Sequence, residues 1–211
     1  MLYIFDWDGT LADSRGHIVA ALQATISQMG LASRTDNACA SIIGLGLREA
    51  VAVLYPKLHD DEVELFCHGY SQNFIQLERE SFPLALFDNA ANTLDVLLSR
   101  GHSLAIATGK SRRGLDRVLD KLQISDKFVV SRAADETASK PNPKMLHEIL
   151  QVTGTRVEQA VMIGDSSYDM AMAQQLAMPR IAATYGVHDR QQLEAYHPIF
   201  FIDAIDHLLH W

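Results

Sequence analysis

The chain has 211 residues, 48% of them hydrophobic and 21% charged, with a formal net charge of −8. A chain of this size makes one to two domains and hides roughly 70% of its unfolded surface, enough for a core without covalent staples. Such a composition excludes a disordered or collagen-like chain, and the acidic balance argues against nucleic-acid binding, which normally shows a basic face. Overall charge still leaves room for a locally positive site that takes one small anion.

Met1 to Phe5 is an apolar run that Asp6 ends, with no basic residue before it. A secretory leader needs a basic start and an apolar stretch of at least about seven residues. No stretch approaches the ~18 apolar residues of a membrane span. The expectation is a cytoplasmic protein without membrane contact. Leu2 to Phe5 reads instead as a first strand, buried on both faces because its apolar run is continuous rather than alternating.

From Ser14 to about Phe82 no convincing strand follows. Ile18, Leu22, Ile26 and Met29 make a helical stripe that stops at Gly30. Arg48 to Tyr55 is helical in pattern and stops before Pro56. Asp60, Asp61 and Glu62 open a third helix towards Glu80, three acids complementing its dipole. Residues 14–82 are therefore expected to be an all-helical insert that leaves the sheet unit near Asp13 to Gly16 and rejoins it near Ser81 to Asn89. Inside it, Ile43-Gly44-Leu45-Gly46-Leu47-Arg48 reads as a turn between helices. A sharper alternative is a specificity loop from which Arg48 reaches an anionic group of the substrate.

Strands and helices then alternate. Apolar runs at Ser103 to Ala107, Phe128 to Val130, Ala160 to Ile163, Arg180 to Ala183 and Ile199 to Ile202 read as strands. Leu115, Val118, Leu119 and Leu122 line one helix face. Asn142 can cap another helix with Pro143 at its first position, Met145, Leu146, Ile149 and Leu150 supplying its buried stripe. Such alternation predicts a doubly wound, mainly parallel α/β sheet, a Rossmann-like core of residues 1–13 and 83–211. Cys39 and Cys67 are too few for a disulfide framework and read as small core residues. Met170, Met172 and Met178 have helix-packing spacing, and the nine histidines form no ligand set.

Ligands of open parallel sheets bind beyond the carboxyl ends of the strands. After the first strand come Asp6 and Asp8, two carboxylates whose repulsion a bound cation relieves, and Mg²⁺ suits oxygen ligands. Trp7, between them, should face the other way. After the second strand, Thr108-Gly109-Lys110-Ser111 offers a hydroxyl and backbone N–H groups as an anion cradle. Lys140 precedes Pro141, which biases it away from helix. Asp165 and Asp169 follow the strand that ends at Ile163, and Tyr185-Gly186 follows the fifth strand near the same edge. Four acids, a hydroxyl and a lysine thus converge on one sheet edge.

Asp6-Trp7-Asp8-Gly9-Thr10-Leu11, Thr108-Gly109, Lys140-Pro141 and Gly164-Asp165 with Asp169 resemble, in order and spacing, the four motifs of the haloacid dehalogenase-like hydrolases. The insert resembles the small helical cap of the phosphoglycolate phosphatase and β-phosphoglucomutase branches. Phe5 to Ser14 and Ala105 to Lys110 look closest to the phosphoglycolate phosphatase-like members. The resemblance implies that Asp6 is the nucleophile, forming an aspartyl-phosphate, and that Asp8 is the general acid and then the base. It also implies Mg²⁺ held by Asp6, the backbone carbonyl of Asp8 and Asp165, with Asp169 directly or through water. Thr108, Gly109 and Lys140 would hold the phosphoryl oxygens. Dehalogenase members lack an acid at the position of Asp8, and phosphonate-cleaving members have a small residue there. The function expected is a Mg²⁺-dependent phosphatase, monomer or dimer, acting on a small soluble phosphomonoester of the phosphoglycolate type. A β-phosphoglucomutase-like transferase would use the same two aspartates. A regulatory phosphoacceptor resembling signalling receiver domains is the weaker alternative, against which Asp6-x-Asp8 and the helical insert count. Phe87-Asp88-Asn89-Ala90 departs from the Pro-Gly turn common at that point in relatives.

Overall fold

The computed structural model describes residues 1–80 and 85–211. Six strands, β1 (Leu2–Phe5), β2 (Ser103–Thr108), β3 (Val130–Ala133), β4 (Ala160–Gly164), β5 (Arg180–Ala183) and β6 (Phe200–Ile202), form one sheet in the order β3-β2-β1-β4-β5-β6. Every pairing in it is parallel. Between β1 and β2 the chain forms α1 (Arg15–Gln28), α2 (Asp36–Ala40), α3 (Leu47–Leu54), α4 (Asp60–Glu80) and α5 (Ala90–Ser99). Later come α6 (Arg112–Leu122), α7 (Lys144–Thr153), α8 (Ser167–Gln174) and α9 (Arg190–Glu194). No described helix is long and apolar enough to cross a membrane.

Strand alternation explains the two layers. Tyr3 and Phe5 join Leu104, Ile106, Val161 and Ile163 in a cluster with Leu94 and Leu97 of α5 and Leu115 and Val118 of α6. Leu2 and Ile4 point to the other face, with Ala105, Met162, and Met145, Leu146 and Ile149 of α7. Each large apolar side chain buried this way contributes about 1.5–3 kcal/mol. Trp7 is fully buried in the first cluster, turned away from the acids on either side of it.

The strand expected at Phe128 to Val130 begins only at Val130; a 3-10 turn spans Ser125–Lys127, and Phe128 and Val129 link it to the strand. It continues through Ser131 and Arg132, polar residues that an edge strand tolerates, with Arg132 Nε 2.7 Å from Glu148 Oε2 on α7. The last strand likewise starts at Phe200 rather than Ile199. The helix starts one residue later than expected: Pro143 stands at the N-cap rather than the first helical position, and Asn142 before it accepts from Lys144 N on Oδ1 at 3.0 Å.

Helices α1, α3 and α4 coincide with the three helical patterns of the insert, and α2 is additional. Its five residues are too few to show periodicity, but Thr35 Oγ1 caps it by accepting from Ala38 N at 3.2 Å. These four helices enclose a hydrophobic cluster of their own, in which Ile18, Leu22 and Ile26 meet Val51, Leu54 and Phe66. The expected boundary at 82 and 83 lies outside the described residues. On either side of it the two connecting segments run together: Asp13 N donates to Ala85 O at 3.1 Å and Phe87 N to Leu11 O at 2.9 Å. Asn89 takes φ +64°, a left-handed conformation that asparagine tolerates.

Candidate active site

β1 lies between β2 and β4, and the strand order reverses there, which places a crevice at the carboxyl ends of these three strands. Parallel registers pair Phe5 with both Ile106 and Ile163, so Asp6, Thr108 and Asp165 emerge side by side. Asp6, Asp165 and Asp169 are fully buried or nearly so, and each offers a carboxylate oxygen within 4.8 Å of the others. Lys140, also buried, holds two of them: its Nζ lies 2.7 Å from Asp6 Oδ1 and 2.6 Å from Asp169 Oδ1.

The remaining oxygens of these acids are mostly occupied. Asp165 Oδ1 accepts from Thr10 Oγ1 at 2.7 Å, and its Oδ2 from Val187 N at 2.8 Å. Asp169 Oδ2 accepts from Ser166 N and Ser166 Oγ, closing the capping box of α8. Asp6 Oδ1 accepts from Trp7 N at 2.6 Å as well. Asp6 Oδ2 is buried with no hydrogen-bond partner among the described residues. Close packing is built into the backbone: Gly9 has φ +88°, and a Cβ there would overlap the Asp165 carboxylate.

Charge in this cluster is unbalanced, three carboxylates against one lysine. Burial pushes the Asp6 carboxyl well above its ordinary range; Asp169 adds to this, while Lys140 opposes it. Burial and then the Asp169 charge push the Asp165 carboxyl up to about 7. For Lys140, burial disfavours the charge, but Asp169 and Asp6 outweigh it and raise the ammonium above its usual range. A hard divalent cation with oxygen ligands would balance this set, each acid offering it one carboxylate oxygen, so these residues fit Mg²⁺.

Asp8 stands apart from the triad. Both its carboxylate oxygens accept from Lys110 Nζ at 3.0 Å, and that ammonium also sits 4.9 Å from the centre of the Phe74 ring on α4. Thr108 is buried; its Oγ1 accepts from Lys110 N at 3.1 Å, which leaves the O–H able to donate elsewhere. Gly109 carries the contact with the helical lobe: a Cβ there would overlap the carbonyl oxygens of Gly44 and Leu45. The Ile43–Leu47 loop is thus seated on the sheet edge, and Gly46 N donates to Ser139 Oγ at 2.7 Å.

A cavity of about 460 Å³ lies between this loop, α1, α4 and the strand ends, with Asp6, Asp8, Thr108, Gly109 and Lys110 in its wall. Arg48 is not part of that wall. The sequence offered it, as the sharper alternative to a plain turn, as an anion contact; its guanidinium is engaged with Glu64 and Asp60 on the exposed side of the lobe. Tyr185 does not line the cavity either; its hydroxyl donates to Thr10 O at 2.9 Å and braces the Asp6–Thr10 turn.

Two residues were missed by sequence reasoning. His188 is buried, accepts from Ser167 N on Nδ1 at 2.9 Å and places Nε2 3.2 Å from Ser41 O. Accepting on Nδ1 assigns the proton to Nε2, so the ring ties α8 to the helical lobe. Tyr70 of α4 lines the cavity, and burial together with the Asp8 charge raises its phenol above the ordinary range. Only its place on the inner face of a lobe helix signals it.

The family model for haloacid dehalogenase-like hydrolase matches residues 3–183. A phosphoglycolate phosphatase of Agrobacterium fabrum is 29% identical over 199 residues, covering 92% of this chain and 84% of its own. A pyrophosphatase of Bacillus cereus is 27% identical over 208 residues, covering 98% and 93%. Among solved structures, a haloacid dehalogenase-like family hydrolase from Streptococcus pneumoniae superposes with a TM-score of 0.84 at 25% identity, over 99% of this chain and 96% of that one.

Proposed function

Because this chain belongs to the haloacid dehalogenase-like hydrolases, we propose that it is a Mg²⁺-dependent phosphatase that hydrolyses a small soluble phosphomonoester through an aspartyl-phosphate. The observation that carries this reading is the bare Asp6 Oδ2, buried beside Lys140 in the wall of a cavity that Asp8 also lines. Asp6 attacks phosphorus, the bond to the leaving alcohol breaks, and one hard displacement becomes two easier ones. Asp8, outside the triad and held by Lys110, gives a proton to the departing alkoxide and afterwards takes one from the attacking water. Thr108 O–H, Gly109 N–H and Lys140 Nζ donate to the phosphoryl oxygens as charge builds on them.

Asp6, Asp165 and Asp169 would hold the metal together with the backbone carbonyl of Asp8. When bound, Mg²⁺ supplies positive charge that keeps the carboxylates ionised and polarises a phosphoryl oxygen. The helical lobe acts as a lid whose Gly44–Leu45 carbonyls rest on Gly109, limiting water during the first step. Relatives named for phosphoglycolate support hydrolysis of a small phosphomonoester. The test is phosphate release from a panel of small phosphomonoesters with Mg²⁺ or chelator, beside Asp6→Asn. Sustained, metal-dependent release lost in the variant supports the phosphatase. A phosphoryl adduct that is never hydrolysed would point to a transferase instead.

A further inference from the structure

Above the strand ends the cavity wall changes character. On the lobe side it is mostly apolar, with Ile18, Ile43, Leu45, Leu47, Phe74 and Ile75 beside the polar Tyr70 and Ser71. Two of the cations in the wall are already committed: Lys110 to Asp8, and Arg117 to Glu78 at 3.1 Å. Both also lie over the Phe74 ring, at 4.9 and 5.5 Å. Arg79 and Arg113 reach the wall from exposed positions. At about 460 Å³ the space falls in the range of roughly 300–1,000 Å³ that holds a ligand of ring size or larger.

Ile75 singles out the purpose of this wall. It is half-buried and lines the cavity, yet among the described residues it belongs to none of the packed hydrophobic clusters. Ile18, Ile43, Leu45, Leu47 and Phe74 all pack into the lobe's own cluster as well. An isoleucine turned to a cavity rather than to a core calls for an apolar partner there. Against this stretch of wall a short carboxylate-bearing leaving group would meet methyl groups and a ring, the cations Arg79 and Arg113, uncommitted among the described residues, standing only at exposed positions of the cavity.

We propose that the leaving alcohol of the substrate carries an apolar, ring-sized body that lies against Ile43, Leu47, Phe74 and Ile75, with the phosphoryl group at Asp6. This inference rests on the phosphatase reading above and narrows its substrate class away from phosphoglycolate. In a hydrophobic pocket each added methylene is worth roughly 10–200-fold in kcat/KM.

The experiment compares benzyl phosphate with phosphoglycolate on the full-length protein with Mg²⁺. Both carry a simple alkyl oxygen on phosphorus, so leaving-group reactivity does not decide the comparison. The expected result is a kcat/KM at least about tenfold higher for benzyl phosphate, expressed mainly as a lower KM. Ile75→Asn should shrink that ratio several-fold, and a ratio of two substrates on one sample does not depend on how much of the variant is folded. Equal rates, or a preference for phosphoglycolate, overturn the apolar-body inference while leaving the phosphatase intact. A ratio unmoved by Ile75→Asn also overturns it. No turnover of either substrate, nor of any other phosphomonoester, overturns both.

Discussion

Lys140 Nζ and Asp169 Oδ1 lie 2.6 Å apart, and neither side chain has measurable contact with solvent. A buried pair of this kind stands only because each charge compensates the other, and removing one partner leaves an ion without water or counter-ion. Lys140 serves Asp6 in the same way, so one ammonium supports two of the three buried acids.

Lys140→Ala is therefore expected to cost about 3–5 kcal/mol of metal-free stability and to lower kcat/KM by at least about a hundredfold. Added Mg²⁺ should recover part of the stability and little of the activity. Denaturant unfolding with and without Mg²⁺, alongside phosphate-release kinetics, measures both.

Asp6→Asn should behave in the opposite way. It removes one negative charge from an overcharged cluster while keeping the shape of the side chain. Turnover should vanish, metal-free melting temperature should stay level or rise, and the stabilisation given by Mg²⁺ should shrink. A marked loss of metal-free stability would show that Asp6 is a structural ion rather than a reactive one.

The pH dependence follows from the raised carboxyls. Asp165 titrates near 7 in the fold, and Asp6 is raised as well, against about 3.9 for a free aspartate. Between those limits the folded state binds more protons than the unfolded one, so metal-free stability falls as pH rises from about 4 to about 7. The melting temperature gained on adding Mg²⁺ should grow across the same window. Thermal melts in chelator and in Mg²⁺, taken at several pH values, test this; a gain that is flat with pH would contradict it.

Glu78 fastens the end of α4 to α6, with Arg117 and Lys121 at 3.1 and 2.8 Å. Burial would raise its carboxyl, but Lys121 and Arg117 outweigh that and hold it below its ordinary range. Its contribution is complete above the usual glutamate pKa of about 4.3 and is lost as pH falls through the lower folded value. Glu78→Gln should loosen the lobe, raising KM several-fold with little change in kcat. Initial-rate kinetics across substrate concentration separates the two.

Much of the fold was legible because β1, β2, β4 and β5 are buried on both faces and write continuous apolar runs. Edge strand β3 was misplaced because Ser131 and Arg132 belong to it, and solvent on one side removes the apolar signal. The convergence of Asp6, Thr108, Lys140, Asp165 and Asp169 could be anticipated because each stands at or just after a strand end, before a helix or in a helix's first turn. The double use of Asp169, one oxygen capping α8 and the other holding Lys140, could not, since one residue letter carries both tasks. Arg48 misled because an arginine beside a glycine loop looks free in sequence, while Glu64, sixteen residues on along the chain, holds it on the outside of the lobe. His188 was illegible for the same reason, its partners Ser41 and Ser167 being distant in the chain.

The most direct measurement is a rapid acid quench of the Mg²⁺-loaded protein during turnover, followed by mass analysis of its peptides. A phosphoryl adduct should appear on the peptide that carries Asp6 and be absent from Asp6→Asn. Continued phosphate release with no adduct at Asp6, or with an adduct on another residue, would contradict nucleophilic catalysis by this aspartate.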